Sequence, residues 1–157
     1  MTDLNESELK VFVDAVKNYF SHLTSDAVLI RAAYLSNTLI SHHDYTGLIT
    51  ISGRFRGCVY FSAPARLLRA LLHALREPDT SEDNLLDAVG EIANTIAGNA
   101  RKHFGTSLTI SIPVTIRGVP EQIKSAARAR SFAIVLNWSG YDATVIVDLA
   151  PVDSFTS

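Results

Sequence analysis

Cysteine, methionine and tryptophan each occur once in the 157 residues, and proline occurs five times. A single cysteine excludes an intrachain disulfide. Cys58 lies in the apolar run 57–61, where a small hydrophobe packed in a core is expected rather than an activated thiolate. Charge of one sign is also missing: 14 Lys and Arg stand against 16 Asp and Glu, for a net charge of −2. Nonspecific binding to nucleic acid or to an anionic membrane surface needs a clustered basic face, so both are excluded as expectations. No apolar run approaches the roughly 20 residues that span a bilayer. The segment 1–6, Met-Thr-Asp-Leu-Asn-Glu, has neither the basic nor the apolar region of a secretory leader, so a cytoplasmic protein is expected. What is present is 47% hydrophobic and 19% charged, too apolar for a disordered chain. The length suits one domain, residues 1–157, with one hydrophobic core, and a protein partner or a small ligand remains as the object of binding.

Asn5 with Glu8 reads as a helix-capping pair, and Leu9, Phe12, Val16, Phe20 and Leu23 follow at three- and four-residue spacing. An amphipathic helix therefore begins the chain. Segments 28–37, 46–52 and 57–62 are short and rich in Val, Ile, Tyr and Thr, with Gly53 and Gly57 bracketing a hairpin turn between the last two. Pro64 opens a second helix bearing Leu67, Leu68, Leu71, Leu72 and Leu75, and Pro78 stops it. Thr80 or Ser81 caps a third, long helix that ends at Gly105. Strand composition returns in 108–117, a polar stretch fills 118–130, and runs 131–138 and 141–149 flank Ser139-Gly140, a two-residue hairpin signal. Strands in blocks joined by hairpins imply an α+β fold: a largely antiparallel sheet of about six strands with helices packed on one side, in the order helix, strands, helices, strands.

The third helix separates into two faces at about 100° per residue. Leu85, Val89, Ile92, Ala93, Ile96, Ala100 and His103 gather on one side, and Asp87, Glu91, Asn94 and Gly98 fall within about 60° of one another on the other. Spacing alone describes a solvated stripe and names no reaction. Gly90 and Gly98 border the stripe although glycine costs about 1 kcal/mol against alanine inside a helix, which suggests close approach to the backbone there. A docking surface or packing against a neighbouring element would each explain them.

Glu91-Ile92-Ala93-Asn94, preceded by Asp87 and followed by Ile96 and Gly98, resembles the signature helix of the CheX, CheC and FliY chemotaxis phosphatases. The block order is similar to that of the CheX subgroup, which carries one copy of the signature, and Pro113 in Ile112-Pro113-Val114 resembles the family's strand-entry proline. The resemblance implies a phosphatase acting on the aspartyl-phosphate of a CheY-type receiver, with Glu91 and Asn94 catalytic and Asp87, Gly90 and Gly98 supporting or docking. It implies no metal or cofactor bound by this chain, Mg2+ being supplied by the receiver, and a homodimer joined through sheet edges. A noncatalytic binding or dimerisation module with the same fold is the alternative, since fold does not guarantee activity. A small-molecule sensor lacks an evident convergent polar set.

The remaining candidates read as structural. His42-His43-Asp44 is expected to be a solvated connection, because adjacent histidines do not easily face one ion. His73 and His103 are expected to pack on their helices, Lys124, Arg128 and Arg130 to lie in a solvated connection, and Trp138 and Tyr141 to pack on the sheet beside their turn.

Overall fold

Asn5 and Glu8 close the first helix reciprocally: the Glu8 backbone N–H donates to Asn5 Oδ1 and the Asn5 N–H to Glu8 Oε1, both at 2.9 Å. The structure, a computed structural model, describes residues 4–23, 28–34, 43–105, 107–118 and 132–152. The elements in chain order are α1 (Glu6–Leu23), β1 (Val28–Tyr34), β2 (Tyr45–Gly53), β3 (Phe55–Ala63), α2 (Ala65–Ala74), α3 (Glu82–Phe104), β4 (Leu108–Ile110), β5 (Val114–Arg117), β6 (Phe132–Trp138) and β7 (Tyr141–Pro151). The block order read from the sequence is the order observed.

The seven strands form one sheet in the order β1-β6-β7-β3-β2, with β4 and β5 sharing the outer edge of β2, and every pairing is antiparallel. The expected run 108–117 is two strands rather than one. Ser111, Ile112 and Pro113 stand opposite only Ile49 and Thr50, so the register slips by one residue between β4 and β5. Pro113 has no N–H for the ladder. Ser111 bridges the gap: its N–H donates to the Thr50 carbonyl, and its Oγ accepts from the Thr50 N–H, both at 2.9 Å. Gly57, expected to bracket the turn as the first residue of its strand, lies inside β3, where a Cβ would meet the Asp148 carbonyl oxygen of β7 at 1.9 Å. The turn itself falls at Gly53 and Arg54.

Alternation along the strands puts Ile49 and Ile51, Val59 and Phe61, Ile134 and Leu136, and Val145 and Val147 on the face covered by the helices. Phe12 and Phe20 of α1 and Leu85, Val89, Ile92 and Ile96 of α3 complete that core. Each fully buried aliphatic side chain contributes on the order of 2 kcal/mol of transfer free energy. The α3 stripe alone thus holds the helix firmly against β2 and β3, and Gly47 lets the approach close, since a Cβ there would lie 2.4 Å from the Val89 carbonyl oxygen. Trp138 lies in this core beside Phe20, ring centroids 5.9 Å apart, and Tyr141 packs at its edge.

Cys58 departs from expectation. It is half-buried on the opposite face of the sheet, with Tyr60, Ile146 and Leu48, because the one-residue alternation from Val59 turns it away from the helices. His43 departs too. It is buried, with Nε2 3.1 Å from Thr144 Oγ1, at the end of a row of hydroxyls, Thr46, Ser62 and Thr144, paired across β2, β3 and β7. Asp44 is exposed, and its Oδ2 accepts the Ala65 N–H at 2.7 Å at the start of α2. His73 and His103 are exposed, the latter edge-on to Phe104 at 5.9 Å. His42, Lys124, Arg128 and Arg130 lie outside the described residues. Among the described residues, no helix is long and apolar enough to cross a membrane.

Candidate functional site

Ser81 occupies the N-cap position of α3 and Gly105, at φ 84°, its C-cap. The sequence expectation for both ends holds, although the Ser81 hydroxyl makes no capping bond. The helix places acids in its first turn, Glu82 and Asp83, and Arg101, Lys102 and His103 in its last, as its dipole favours. Leu85, Val89, Ile92, Ala93, Ile96 and Ala100 are buried, and Asp87, Glu91 and Asn94 are exposed. The two faces separate as the wheel requires.

Glu91 and Asn94 project from one face, with Cβ atoms about 5–6 Å apart at this spacing. Neither side chain makes a hydrogen bond or ion pair with another described residue; the Glu91 carbonyl accepts from Thr95 Oγ1 at 2.9 Å, but its carboxylate is open. A carboxylate and a carboxamide, both uncommitted, can together pair with a cation and hold a water through one donor and one acceptor.

The surroundings of the stripe differ at its two ends. Around Glu91 a pocket of about 220 Å³ is walled by Tyr19 of α1 and Leu72 and Leu75 of α2, with the carboxylates of Glu77 and Asp87 at its rim. Burial first, and the charge of Glu91 second, push the Tyr19 phenol up to about 12. Around Asn94 and Gly98 a groove of about 560 Å³ runs toward Arg101 and Lys102. Asn94 therefore stands between an acidic pocket and a basic groove. Arg101 is held there by its Nε–H, which donates to the Leu108 carbonyl at 3.0 Å.

The two glycines of the stripe do different things. Gly90 is buried, and the close approach expected at its backbone is made by this chain's own β5: a Cβ on Gly90 would lie 2.6 Å from Thr115 Cγ2 and 3.3 Å from Pro113 Cβ. A Cβ on Gly98 would meet nothing within 4 Å. Beyond Pro113, Ile112 is 84% exposed and Val114 53% exposed, and Leu75 on the other flank is 53% exposed. The polar stripe is thus bordered by an uncovered apolar side chain, Leu75, on the α2 flank, whereas Val114, paired with Leu48, points to the opposite face of the sheet. Tyr19 and Leu75 are residues that sequence reasoning did not connect with the stripe. Leu75 ends a leucine series that reads as core, and Pro113, read as a strand-entry proline, marks where the run 108–117 breaks.

β5 is tied to the start of α3 by Glu82, which pairs with Arg117 and accepts the Tyr45 hydroxyl at 3.0 Å. Such pairs are worth little alone when exposed, but this one fixes the edge strand beside the helix that carries the stripe.

The fold is similar to that of chemotaxis protein CheX from Desulfovibrio desulfuricans (19% identity, 93% of this chain and 99% of that one, TM-score 0.71). It is also similar to a CheC-like superfamily protein from Shewanella sp. PV-4 (15% identity, 94% and 99%, TM-score 0.77). A third likeness is to a chain of the CheX–CheY–BeF3–Mg2+ complex from Borrelia burgdorferi (16% identity, 90% and 97%, TM-score 0.71). The sequence matches no curated protein at a significant level. The family model described as "Chemotaxis phosphatase CheX" matches residues 45–137, the span from β2 through α3 to β6 that builds the stripe and both its flanks, and the chain belongs to that family.

Proposed function

We propose that this chain hydrolyses the aspartyl-phosphate of a CheY-type receiver domain, with Asn94 orienting the attacking water and Glu91 anchoring the receiver. The observation that carries the reading is the pair itself: an exposed carboxylate and an exposed carboxamide one helical turn apart on α3, neither engaged elsewhere in the described fold. A phosphorylated receiver brings its own acidic pocket, divalent metal and phosphoryl group, so this chain need bind no cofactor. It contributes position. The Asn94 amide N–H and carbonyl can each hold a water, one as donor and one as acceptor, in line with phosphorus. Fixing that geometry is worth on the order of 10²-fold or more in rate.

Glu91 in this reading meets the ammonium group of a receiver lysine, with Asp87 adding negative potential to the same pocket. Gly98 leaves room for a loop of the receiver beside Asn94, and Arg101 and Lys102 favour the anionic end of the substrate. Gly90 serves from inside, as the seat of β5. The likeness to a CheX chain in complex with CheY supports a receiver as partner. A single domain acting in the cytoplasm, where receivers are phosphorylated, belongs to the same reading. So does a homodimer: among the described residues β1 pairs only with β6, and β4 and β5 form the other border, so two sheet edges are open to pairing. Equilibrium sedimentation tests that association, and a monomer at all concentrations rejects it.

The deciding assay is phosphate release from a phosphorylated receiver at substoichiometric amounts of this protein. Wild type is expected to turn over many receivers, and Asn94→Ala to lose the acceleration by about 10²-fold while still binding the receiver. Glu91→Ala is expected to weaken binding and turnover together. Equal rates for wild type and Asn94→Ala reject the mechanism, and binding without multiple turnover by wild type identifies the noncatalytic alternative.

A further inference from the structure

Helix α2 runs against the usual charge rule at its N-terminus. Its first turn contains no acid, whereas Arg66 and Arg69 lie within its first five residues. The free N–H groups there carry a partial positive charge, so each cation is disfavoured at this end of the helix. The carboxylate nearby, Asp44, is committed to the Ala65 N–H. Neither arginine makes a hydrogen bond or an ion pair with any described residue, and both are exposed. With His73 they fall at i, i+3 and i+7, on one side of the helix.

That side faces the β6–β7 turn across a groove of about 590 Å³, lined by Arg66, Arg69 and His73 from the helix and by Trp138, Ser139 and Tyr141 from the hairpin. Among the described residues, no acidic one lines it. Trp138 is 2% exposed, yet its indole N–H, its single polar side-chain atom, is buried without an acceptor among the described residues. Leaving such a donor unpaired carries its full desolvation cost, and native structures rarely tolerate it without a reason. Two uncompensated guanidinium groups, a helix N-terminus and an orphaned N–H all lack the same thing, an acceptor of negative charge. The volume falls within the range of ligand sites, about 300–1,000 Å³.

We infer that the groove between α2 and the β6–β7 turn is a binding site for an oxyanion, carboxylate or phosphate, held by Arg66 and Arg69 with the Trp138 N–H as a further donor. Arginine suits both anions because its planar fork presents parallel N–H groups to two oxygens. The site is distinct from the α3 stripe. It lies on the side of α2 away from Leu71, Leu72 and Leu75, which wall the pocket at Glu91. The anion has two possible sources, a free small molecule or the acidic side chains of a polypeptide, and the chemistry of recognition is the same for both.

Trp138 is the chain's single tryptophan, so its fluorescence reports the site directly. The full chain is titrated at constant ionic strength with inorganic phosphate in one arm and with a hexaglutamate peptide in the other. A saturable change in emission is expected from at least one probe: phosphate identifies the free anion as source, and the peptide alone identifies a polypeptide. In the Arg66→Gln/Arg69→Gln variant the response is expected to weaken at least tenfold, with an unchanged thermal midpoint. Should that variant unfold, Arg66→Glu alone supplies the same readout. Asn94→Ala is expected to respond as wild type does. No saturable response to either probe, an undiminished response in the arginine variants, or its loss in Asn94→Ala overturns the assignment.

Discussion

Pro113 sits on the bare backbone of Gly90: a methyl group added to this glycine would come within 3.3 Å of the proline Cβ and 2.6 Å of the neighbouring Thr115 Cγ2. The helix bearing the stripe and the edge strand beside it are therefore fitted to each other at a point with no spare volume. Alanine is the better helix former by about 1 kcal/mol. Overpacking costs about 1–3 kcal/mol, and the rigid proline ring cannot rotate away. Gly90→Ala is thus expected to destabilise the protein by about 1 kcal/mol net, read as a lower denaturation midpoint in urea. A gain in stability would show that β5 is not held where the structure places it.

Gly98 should behave in the opposite way. Nothing lies within 4 Å of its missing Cβ, so Gly98→Ala keeps the helix-propensity gain and is expected to stabilise by up to about 1 kcal/mol. Gly98→Trp adds bulk only to the open groove beside Asn94. It is expected to raise KM for the phosphorylated receiver at least tenfold while the denaturation midpoint stays at or above that of wild type. Unchanged kinetics for the tryptophan variant would remove this groove from the docking surface.

These two glycines show where the sequence was legible and where it was not. Periodicity separates the faces of α3 because four large aliphatics must be buried together, and the structure buries all four, Leu85, Val89, Ile92 and Ile96. Whether a helical glycine admits an external partner or an internal strand depends on what lies across from it, and that partner is some twenty residues further along the chain. The same limit explains Cys58 and His43. An apolar run longer than its strand's period does not say which member turns to which face, and a polar residue before a strand looks solvated until Thr144 is brought beside it from the distant β7. His103 failed for a different reason: it belongs to the last turn of α3, where the helix has run past the core.

The apolar border of the stripe leads to a prediction about specificity. Leu75 and Val114 are each 53% exposed, but Leu75 walls the pocket at Glu91 whereas Val114, paired with Leu48, points to the opposite face of the sheet. Aspartate at either position costs little in folding because neither side chain is in the core. If the α2 flank meets the receiver, Leu75→Asp lowers kcat/KM about tenfold or more through KM, leaving kcat nearly unchanged, and Val114→Asp behaves as wild type. Alteration of kcat alone in Leu75→Asp would assign this side chain to the positioning of α3 instead of to docking.

Tyr19 offers a way to observe Glu91 without any receiver. Its phenol is pushed up to about 12, chiefly by burial and in part by the Glu91 charge. Glu91→Gln removes the charge and leaves the burial. The Tyr19 titration, followed by tyrosinate absorbance in difference with a Tyr19→Phe variant, is therefore expected to move down but to stay above the ordinary value of about 10. No displacement would mean that the carboxylate points away from the Tyr19 pocket, which would also weaken its assignment to a cation bound there.

His43 sets a pH dependence of stability that is separate from the site. Burial is the main cause that holds its imidazole below the ordinary histidine value, against the smaller opposing effects of Asp142 and Asp44. The sign follows from proton counting. Below the unfolded value of about 6.5 the unfolded chain takes up a proton that the folded chain still refuses, so acid favours unfolding. The contribution of His43 is fully present at neutral pH and is lost progressively as pH falls from about 6.5 toward the lowered folded value. Urea midpoints measured from pH 7.5 down to pH 5 should therefore fall less steeply for His43→Asn than for wild type, even though the variant starts less stable because its contact with Thr144 changes. Parallel slopes for the two proteins would show that His43 titrates as it does in water, and that the hydroxyl row of β2, β3 and β7 does not enclose it.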